Sequence, residues 1–367
     1  MTKAAELAKM GEVLTNSQIG GRRNIIINGA MQVAQRGTSS SGQGASSNFL
    51  IDRFRQNHNG NSAGRYTVSQ ATDVHDGFAN ALKLDCTTAD TSIGSAERFF
   101  IEYPFEGQDL QQFKKGTSDA EDFMVSFYAK ANGNFTYVCG FYDADNNRTV
   151  SRTFSVTSSW QRFTINFGKD TTGAFDDDNA LSLQLRWYLH AGSNYTGGTL
   201  QEVWDAVTNN ETAGGMTSSF FSSTDNEFYL TGVQLEVGSV ATPFEFRSFG
   251  EELALCQRYY YKLIIDSGAD SFATGSNNAT TTSEHSIIFA QTMRANPTAI
   301  ETTGTAGDYQ IASAGSTTTC SAVPVFVRAS FHTAYFRSSV SSGLTTGNAS
   351  LLRSISDDAY LAWEAEL

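Results

Sequence analysis

The chain has 367 residues and a formal net charge of −13, with 17% charged and 12% aromatic residues. This length allows two or three domains, each with its own core. The acidic balance argues against nucleic acid as a partner, because phosphate binding requires clustered Lys and Arg. The 32 glycines occur among many Ser and Thr residues and regularly spaced aromatics, a composition that favours short strands and turns over helices.

Neither the apolar runs nor the cysteines indicate a membrane or oxidising environment. No apolar run approaches the roughly 18 residues that a membrane span requires, so we expect no membrane insertion. The N-terminal sequence Met-Thr-Lys-Ala-Ala-Glu-Leu lacks the apolar region of a secretory signal. The four cysteines are far apart and form no CxxC pair, which predicts buried reduced thiols and synthesis in a reducing cytoplasm. They are Cys86, Cys139, Cys256 and Cys320.

Residues 1–20 differ in pattern from the rest of the chain. Thr2 can cap a helix in which Leu7, Met10 and Leu14 follow helical spacing. A helix of about 13 residues is marginal by itself in water. We therefore expect it to pack against another subunit, a docking partner or the chain's own core.

The central region, residues 24–247, alternates apolar and polar side chains with a period of two. In Leu181–His190 every odd position is apolar. Successive side chains of a strand point to opposite faces, so this pattern predicts a half-buried strand of a sandwich. The segments 123–127 and 163–167 repeat the pattern. The region therefore predicts a β-sandwich.

Three local signals interrupt these strands. Phe135–Tyr142 and Thr149–Val156 flank a polar segment, Asp143–Asn147, and together predict a hairpin. The apolar phase of the last strand changes at Gly232, which predicts a β-bulge. Thr199-Leu-Gln-Glu202 has the capping-box pattern, so Leu200–Val207 is predicted to be a short helix within a loop excursion.

A second capping box, Ser248-Phe-Gly-Glu251, predicts a short helix to Cys256 that leads into a smaller β-domain. Three stretches of this domain are rich in Gly, Ser and Thr and are predicted to be exposed loops: 267–283, 302–307 and 338–348. The predicted strands are Arg258–Ile265, Ser286–Gln291, Ile311–Ala314, Val325–Phe331 and Ala359–Trp363.

No motif indicates catalysis or a bound ion. The sequence contains no GxSxG, HExxH, GxxxxGK[ST] or GxGxxG, so we expect a non-enzymatic protein without catalytic residues or a cofactor. Asp143, Asp145 and Asn147 imitate the start of a calcium-binding loop. Arg148 and Phe154 stand where that loop requires Gly and Glu, so we expect no metal site there.

Two segments carry a resemblance to a known family. Thr231–Tyr261, which reads TGVQLEVGSVATPFEFRSFGEELALCQRYYY, resembles a segment of phage tail-fibre proteins. Asn24–Gly37, followed by Ile51-Asp-Arg-Phe54, resembles the first strand and loop of the same sandwich, which is similar to jelly-roll carbohydrate-binding modules. In modules of this kind a structural calcium is often held near the first and last strands. The position that is usually acidic reads Thr231 or Gly232 here, which argues against that ion.

The resemblance implies an all-β architecture with three parts. Residues 1–23 would form a helical attachment segment, residues 24–247 a jelly-roll β-sandwich, and residues 248–367 a smaller C-terminal β-domain at the host-facing tip. The apolar segments Tyr259–Tyr261 and Tyr360–Leu367 favour burial against a neighbouring subunit.

For function, the resemblance implies a virion structural protein made in the cytoplasm of a host bacterium. It would be a homotrimeric tail fibre, bound to another virion protein through residues 1–20, that binds a host surface glycan or receptor. The alternative is a capsid decoration or cement protein that stabilises the shell and binds no receptor. The position of the chain in the particle distinguishes the two.

Glycan binding by such sandwiches uses exposed aromatic rings that stack on sugars, with polar side chains bonded to the hydroxyls. Trp160 matches the core tryptophan of the family and is assigned to packing. In the loop excursion, Tyr195 and Trp204 are candidate ligand contacts, with packing of the excursion onto the sandwich as the alternative. His332 and Tyr335 are the candidates in the C-terminal domain, because they lie near loop-rich sequence.

Overall fold

The computed structural model describes Lys3 and residues 23–60, 62–265 and 270–367. The predicted helix of residues 1–20 therefore lies outside the described residues apart from Lys3, and most of the predicted attachment segment lies outside them as well. The described chain is nearly all β, as predicted, and neither of its helices is long and apolar enough to cross a membrane. The chain divides into two compact units, the first ending at Phe249 and the second spanning Gly250–Glu366.

The first unit is built from two six-stranded antiparallel sheets. Sheet A has the order β1-β3-β4-β12-β6-β9 and sheet B the order β11-β8-β7-β10-β5-β2. The strands are β1 (Ser39–Gln43), β2 (Arg55–Asn59), β3 (Arg65–Ala71), β4 (Ala81–Thr88), β5 (Arg98–Glu106), β6 (Phe123–Ala131), β7 (Phe135–Asp143), β8 (Arg148–Val156), β9 (Gln161–Asn166), β10 (Leu181–Ala191), β11 (Asp205–Ala206) and β12 (Glu227–Val237). One helical turn, α1 (Ser193–Thr196), follows β10, and 3-10 turns span Gly107–Asp109, Gln111–Phe113, Asn209–Glu211 and Phe220–Ser222.

The core of this unit lies between the two sheets and is formed by the apolar positions of the period-two pattern. On β10, Leu185 and Trp187 are fully buried and meet Val125 and Phe127 of β6 in one apolar cluster. Each such side chain contributes about 1.5–3 kcal/mol when fully buried. The prediction of a β-sandwich is therefore confirmed. The more specific assignment to the jelly-roll fold stays a prediction.

The expectation that β10 is buried on one face only is wrong. Tyr188, on the face opposite the core, is 3% exposed. It packs with Phe100, Val138 and Ala213 in a second, smaller apolar cluster. Ala213 belongs to the excursion of residues 192–217, which lies over part of the outer face of sheet B. Alternation along one strand cannot reveal such a cover, because the covering residues follow later in the chain.

The hairpin and the bulge are confirmed. Strands β7 and β8 pair in register from Phe135↔Val156 to Asp143↔Arg148. The pairing of β12 with β6 shifts between Thr231 and Gln234. Gly232 adopts φ +60°, and a Cβ there would lie 2.6 Å from the ring of Phe78. Both the positive φ and the lack of room for a Cβ atom therefore require glycine at the bulge.

The predicted helix Leu200–Val207 is wrong. This segment is irregular except for β11, which pairs with β8 at Asp205↔Thr149. Gln201 donates a side-chain hydrogen bond to the carbonyl of Ala206 at 2.9 Å. A capping box favours a helix start locally, but pairing with β8 and burial of Trp204 decide the conformation instead.

Asn24 and Asn28, near the start of the described chain, form hydrogen bonds that hold their segment in place, those of Asn24 to the last strand of the sandwich, β12. The side-chain oxygen of Asn24 accepts from the backbone N–H of Leu235 at 3.1 Å, and its amide donates to the carbonyl of Val233 at 3.1 Å. Asn28 adopts φ +61° and bonds both the N–H and the carbonyl of Val33. Asn24 and Asn28 therefore have structural roles.

The second unit begins with α2 (Phe249–Gln257), close to the helix that the second capping box predicts. A three-stranded sheet C, ordered β13-β22-β16, and a seven-stranded sheet D, ordered β18-β17-β21-β14-β15-β20-β19, follow. Their strands are β13 (Tyr260–Ile264), β14 (Ser271–Ala279), β15 (Thr282–Ile288), β16 (Glu301–Thr302), β17 (Tyr309–Ser313), β18 (Ser316–Thr319), β19 (Ala322–Ala329), β20 (Thr333–Ser339), β21 (Ala349–Ser354) and β22 (Tyr360–Glu364). Each of the five predicted strands overlaps an observed one.

The loop predicted at 267–283 is wrong over most of its length. Strand β14 lies in this stretch and pairs with β21 on one side and β15 on the other. Ser, Gly and Asn have low intrinsic β-propensity, but strand formation depends largely on cross-strand neighbours and burial. Two flanking strands satisfy the backbone of β14, and Phe272 and Ala273 at its start pack into the core of the second unit.

The terminal apolar segments do not need a neighbouring subunit to bury them. Tyr259 and Tyr260 are each 1% exposed and Trp363 is 0% exposed within the chain itself. Trp363 packs against Phe289 and Phe336 in the core of the second unit. The argument for a trimer from apolar chain ends is therefore wrong.

The prediction of buried thiols is confirmed, since all four cysteines are buried and none forms a disulfide. Burial raises the pKa of the Cys86 thiol to about 11 and that of Cys320 to about 12. Burial also raises the pKa of Cys139. These thiols are packing elements in the protonated form.

Candidate functional site

The outer face of sheet B carries a group of polar and aromatic side chains that the excursion leaves partly uncovered. Cross-strand register places Arg55, Glu102 and Arg186 side by side on β2, β5 and β10. We call the following set the arginine face: Arg55, Asn57, Arg98, Phe100, Glu102, Tyr142, Arg186 and Tyr195.

Glu102 lies at the centre of the arginine face. Its side chain is fully buried and forms ion pairs with Arg55 and, at 3.6 Å, with Arg186. Asn57 donates a further hydrogen bond to the same carboxylate at 3.1 Å. One buried carboxylate therefore holds two guanidinium groups, and the bonds from Arg55 and Asn57 to Oε1 offset part of the cost of burying its charge.

Arg186 is flanked by aromatic rings. Its guanidinium carbon lies 5.0 Å from the Phe100 ring centroid and 4.4 Å from that of Tyr142. It also donates to the hydroxyl of Tyr188 at 3.2 Å. Contacts of this kind fix the plane of a guanidinium and direct its remaining donors.

At the other end of the face, Arg98 lies between two rings. Its guanidinium carbon is 4.8 Å from the Tyr195 centroid and 5.5 Å from the Phe100 centroid. Tyr195 is positioned by helix α1, and its carbonyl accepts from the N–H of Ala213 at 2.9 Å. The structure thus brings the predicted candidate Tyr195 onto the arginine face.

The sequence pattern did not predict the other members of this face. They occupy the alternate positions of strands whose apolar positions form the core, and polar residues there are typical of any solvated face. Arg98, Phe100 and Glu102 occupy alternate positions of β5, so the sequence could have indicated that they share one face. Their contact with Arg186 can be predicted only when the register of β5 with β10 is known.

Trp204 lies apart from Tyr195, in the core of the sandwich. It is 9% exposed and stacks on Phe141, with ring centroids 5.9 Å apart. Its indole N–H donates to the carbonyl of Gly168 at 3.2 Å. This burial favours the packing interpretation of Trp204 over ligand contact.

His332 and Tyr335 also occupy separate environments. The exposed His332 ring lies at the β19–β20 turn, with Nδ1 3.4 Å from the hydroxyl of Thr292. On the outer face of sheet D, the Tyr335 hydroxyl donates to Glu284, and Arg328 lies 4.7 Å from the ring centroid. Hydrogen bonding to Tyr335 first, and then to Arg337, lowers the pKa of Glu284. The two candidates share no polar centre.

A second aromatic group occupies the outer face of sheet A. Trp160 is half-buried and packs edge-on against Tyr229 at 6.1 Å, with the ammonium of Lys130 5.5 Å from its ring centroid. Trp160 is therefore not a core tryptophan, but its contacts agree with the prediction that it serves in packing. This group is smaller than the arginine face and provides a natural control for it.

Ser219, His190 and Glu97 form an arrangement with the residue types of a hydrolytic triad. The Ser219 hydroxyl lies 2.8 Å from Nδ1 of His190, and Glu97 lies 3.4 Å from Nε2. The hydroxyl, however, already accepts from the backbone N–H of Phe221 as a helix cap. Burial lowers the pKa of His190, although Glu97 opposes the shift. We assign the trio to anchoring the turn at Phe220.

Lys115 fills an oxygen-lined cage that resembles a cation site. Its ammonium contacts Asp143 at 2.7 Å and Asp170 at 3.2 Å. It also donates to the carbonyls of Thr172 at 2.9 Å and Gly173 at 2.6 Å. The chain's own lysine thus neutralises these carboxylates, and the described residues contain no cluster of three or more His, Cys, Asp or Glu side chains suited to a metal.

The described residues of the second unit form several surface grooves. One of about 450 Å³ is lined mainly by Ala, Gly, Ser and Thr, with Arg353 as its charged residue. Another of about 390 Å³ is lined by Arg294, Glu301 and Glu364, among others. Neither groove contains an aromatic ring among its lining residues, so neither offers the combination found on the arginine face.

Comparison with known proteins adds little to this geometry. No protein-family model matches the sequence, and a search of curated proteins found no match. Among solved structures, the chain is similar to TmCBM61 in complex with β-1,4-galactotriose, at 11% identity and a TM-score of 0.30, covering 59% of this chain and 99% of that one. It is also similar to the family 11 carbohydrate-binding module from Clostridium thermocellum, at 11% identity and a TM-score of 0.27, covering 56% and 98%.

A third similar structure is the enzymatically active domain of tailspike protein 4 of bacteriophage CBA120. The identity is 10% and the TM-score 0.29, and the match covers 58% of this chain. The chain spans about a fifth of that tailspike, 21% of its length. All three scores are too low to carry a conclusion about function.

Proposed function

We propose that this protein is a non-enzymatic glycan-binding protein whose sugar site is the arginine face of the first unit. The observation that carries the proposal is the convergence of half-buried rings and fixed hydrogen-bond donors around Glu102 on one open sheet face. Saccharide sites combine apolar ring surfaces with a few precisely held polar groups.

The geometry supports binding of an extended saccharide. Tyr142 and Tyr195 stand on two sides of the face and offer ring surface to the C–H face of a sugar. Asn57 and Arg98 supply donors for polar groups of the sugar. The donors of Arg55 and Arg186 are engaged within the chain. A sheet face held by strand pairing needs little rearrangement on binding, which reduces the entropic cost of association.

Removing ring surface and donors from this face should abolish binding. In the double variant Tyr142→Ala/Asn57→Ala we expect affinity for the recognised glycan to fall at least tenfold, equivalent to about 1.4 kcal/mol. The measurement is binding of purified full-length chain to a glycan array, followed by calorimetry with the best ligand. Neither residue lies in the sandwich core, so circular dichroism should be unchanged.

The matched control is Trp160→Ala, which removes an aromatic ring from the outer face of sheet A. It should bind as the wild type does. Loss of binding in Trp160→Ala together with normal binding in the double variant would assign the site to sheet A and overturn the proposal.

We further propose that the chain acts in a phage virion, as a homotrimeric tail fibre that attaches through residues 1–20 and places residues 248–367 at the host-facing tip. This part rests on the resemblance of Thr231–Tyr261 to tail-fibre proteins. The alternative role is that of a capsid decoration protein, which could have the same composition.

Placement in the particle and domain exchange test the virion role. Antibody against the chain should label the tail, and the purified protein should sediment as a trimer; label spread over the shell would support decoration instead. In a chimera, transfer of residues 24–247 to a related fibre should transfer adsorption if the arginine face is the receptor site. Adsorption that follows residues 248–367 would place the receptor site in the second unit.

A further inference from the structure

Arg98 is the unusual member of the arginine face, because its charge is not neutralised by the chain. Among the described residues no carboxylate forms an ion pair with its guanidinium, and no acceptor bonds to it. Its Nε atom is buried without a hydrogen-bond partner. A charged donor that is half removed from water and unpaired is costly, and it indicates a partner that the chain does not supply.

The other charges nearby do not satisfy Arg98. Outward positions of β2, β5, β10 and β7 carry three arginines against two glutamates, Glu102 and Glu106. Glu102 is shared by Arg55 and Arg186. Glu106 lies at the far end of β5, where it accepts from Gln108 at 2.7 Å. These outward strand positions therefore carry one more cationic than anionic side chain, on a chain whose net charge is −13. Arg55 also donates to the main-chain oxygen of Leu367 at 3.4 Å.

Two rings hold the Arg98 guanidinium in a fixed plane. Its carbon lies over the rings of Tyr195 and Phe100, and because Nε is buried the two terminal nitrogens are the positions from which it can donate to a ligand. A planar fork of donors matches a carboxylate or another oxyanion in a two-point hydrogen bond. A neutral sugar hydroxyl would leave the charge without compensation.

We propose that the arginine face recognises an acidic saccharide, and that Arg98 binds its anionic group. This inference rests on the proposed function of the same face and specifies its substrate class. The chemistry required of the ligand is a sugar ring bearing a carboxylate, sulfate or phosphate oxyanion. Neutral sugar units of the same saccharide would lie toward Asn57 and Tyr142.

The test uses full-length protein on an array that carries neutral, uronate, sialylated, sulfated and phosphorylated oligosaccharides. Wild-type protein should bind at least one acidic class about tenfold more tightly than its neutral counterpart, and the array identifies which oxyanion is preferred. The preference should weaken when salt rises from about 50 to about 300 mM, since exposed charge pairs are screened.

The variant Arg98→Gln keeps a planar donor without the charge. It should bind the acidic ligand about tenfold more weakly and lose the salt dependence. Arg328→Gln is the matched control, because Arg328 also lies over a tyrosine ring but in the second unit. It should bind as the wild type does.

The outcomes separate the two proposals. Binding of neutral glycans only, or unchanged binding of the acidic ligand by Arg98→Gln, overturns acidic specificity while glycan binding by this face stands. Absence of binding to every glycan on the array overturns the proposed function and this inference together.

Discussion

Replacing Lys115 with methionine should lower the free energy of unfolding of the first unit by about 3–5 kcal/mol. The Lys115 ammonium is completely buried between the carboxylates of Asp143 and Asp170, with no side-chain exposure. Methionine fills a similar volume but leaves buried Asp143 without a cationic partner among the described residues, while Asp170 keeps its ion pair with Arg148. Removing one partner of a buried ion pair costs far more than the intact pair contributes.

Chemical denaturation followed by tryptophan fluorescence measures this effect. Trp204 reports on the site directly, because the Lys115 ammonium lies 5.7 Å from its ring centroid. The neighbouring Lys114→Met is the matched control. Its ion pair with Glu121 is largely exposed, so its loss should cost less than about 1 kcal/mol.

Removal of the carboxylate that is left without a cation provides a second check on the mechanism. The double variant Lys115→Met/Asp143→Asn should regain part of the stability lost in Lys115→Met, while Asp170 keeps its ion pair with Arg148. A loss under about 1 kcal/mol in the single variant would show that the two aspartates do not depend on the lysine. An equal loss in the single and double variants would attribute the effect to packing instead of charge.

The second unit should lose stability as the pH falls from about 6.5 to about 4, with His285 as a main cause. Burial lowers the pKa of His285 from 6.5 to about 4. The ring is 1% exposed and stacks on Phe336, with centroids 5.6 Å apart. In the unfolded chain the imidazole regains its ordinary pKa and binds a proton first, so the contribution of neutral His285 is present above pH 6.5 and lost below it.

A pKa difference of this size corresponds to about 3 kcal/mol once the pH reaches the folded pKa. The measurement is the urea midpoint of the second unit between pH 8 and pH 4, followed by amide exchange of its strands. His285→Leu should flatten the pH dependence whatever its effect on absolute stability. His332→Leu is the control, since that ring is exposed in the fold as in the unfolded chain.

Carboxylates contribute to acid unfolding in the same range, among them Glu284, whose pKa is lowered by its bonds to Tyr335 and Arg337. The comparison of wild type with His285→Leu removes this shared background. An identical pH dependence in the two proteins would show that His285 is not a source of the acid sensitivity.

Several features of the fold followed from the sequence, because they depend on neighbours along the chain. Period-two alternation identified β10, and the polar segment after β7 identified a hairpin. The phase change at Gly232 located the bulge, and the capping box at Ser248 located helix α2 to within a few residues. Hydrogen bonds over a few residues and the alternation of side chains are local properties of a strand or a helix terminus.

Other features depended on partners distant in sequence. The helix predicted from Thr199 is absent, because β11 pairs with β8 and Trp204 packs on Phe141. Strand β14 lacks apolar alternation and exists through pairing with β21 and β15. In both segments long-range pairing outweighs local propensity.

The arginine face also combines features that the sequence could indicate with features that only the fold reveals. Tyr195 could be selected from the sequence as an aromatic residue in a loop excursion, but its ligand-binding role could not be distinguished from packing. Arg186 and Glu102 are 84 positions apart, and only the register of β10 on β5 makes them neighbours. The unpaired state of Arg98 is likewise a property of the assembled face, because it depends on which carboxylates the fold brings within reach. Sequence alone determined the strands with period-two alternation, such as β10, because alternation is a local property. The tertiary structure decided that β11 and β14 form and which outward side chains meet, because both depend on partners distant in sequence.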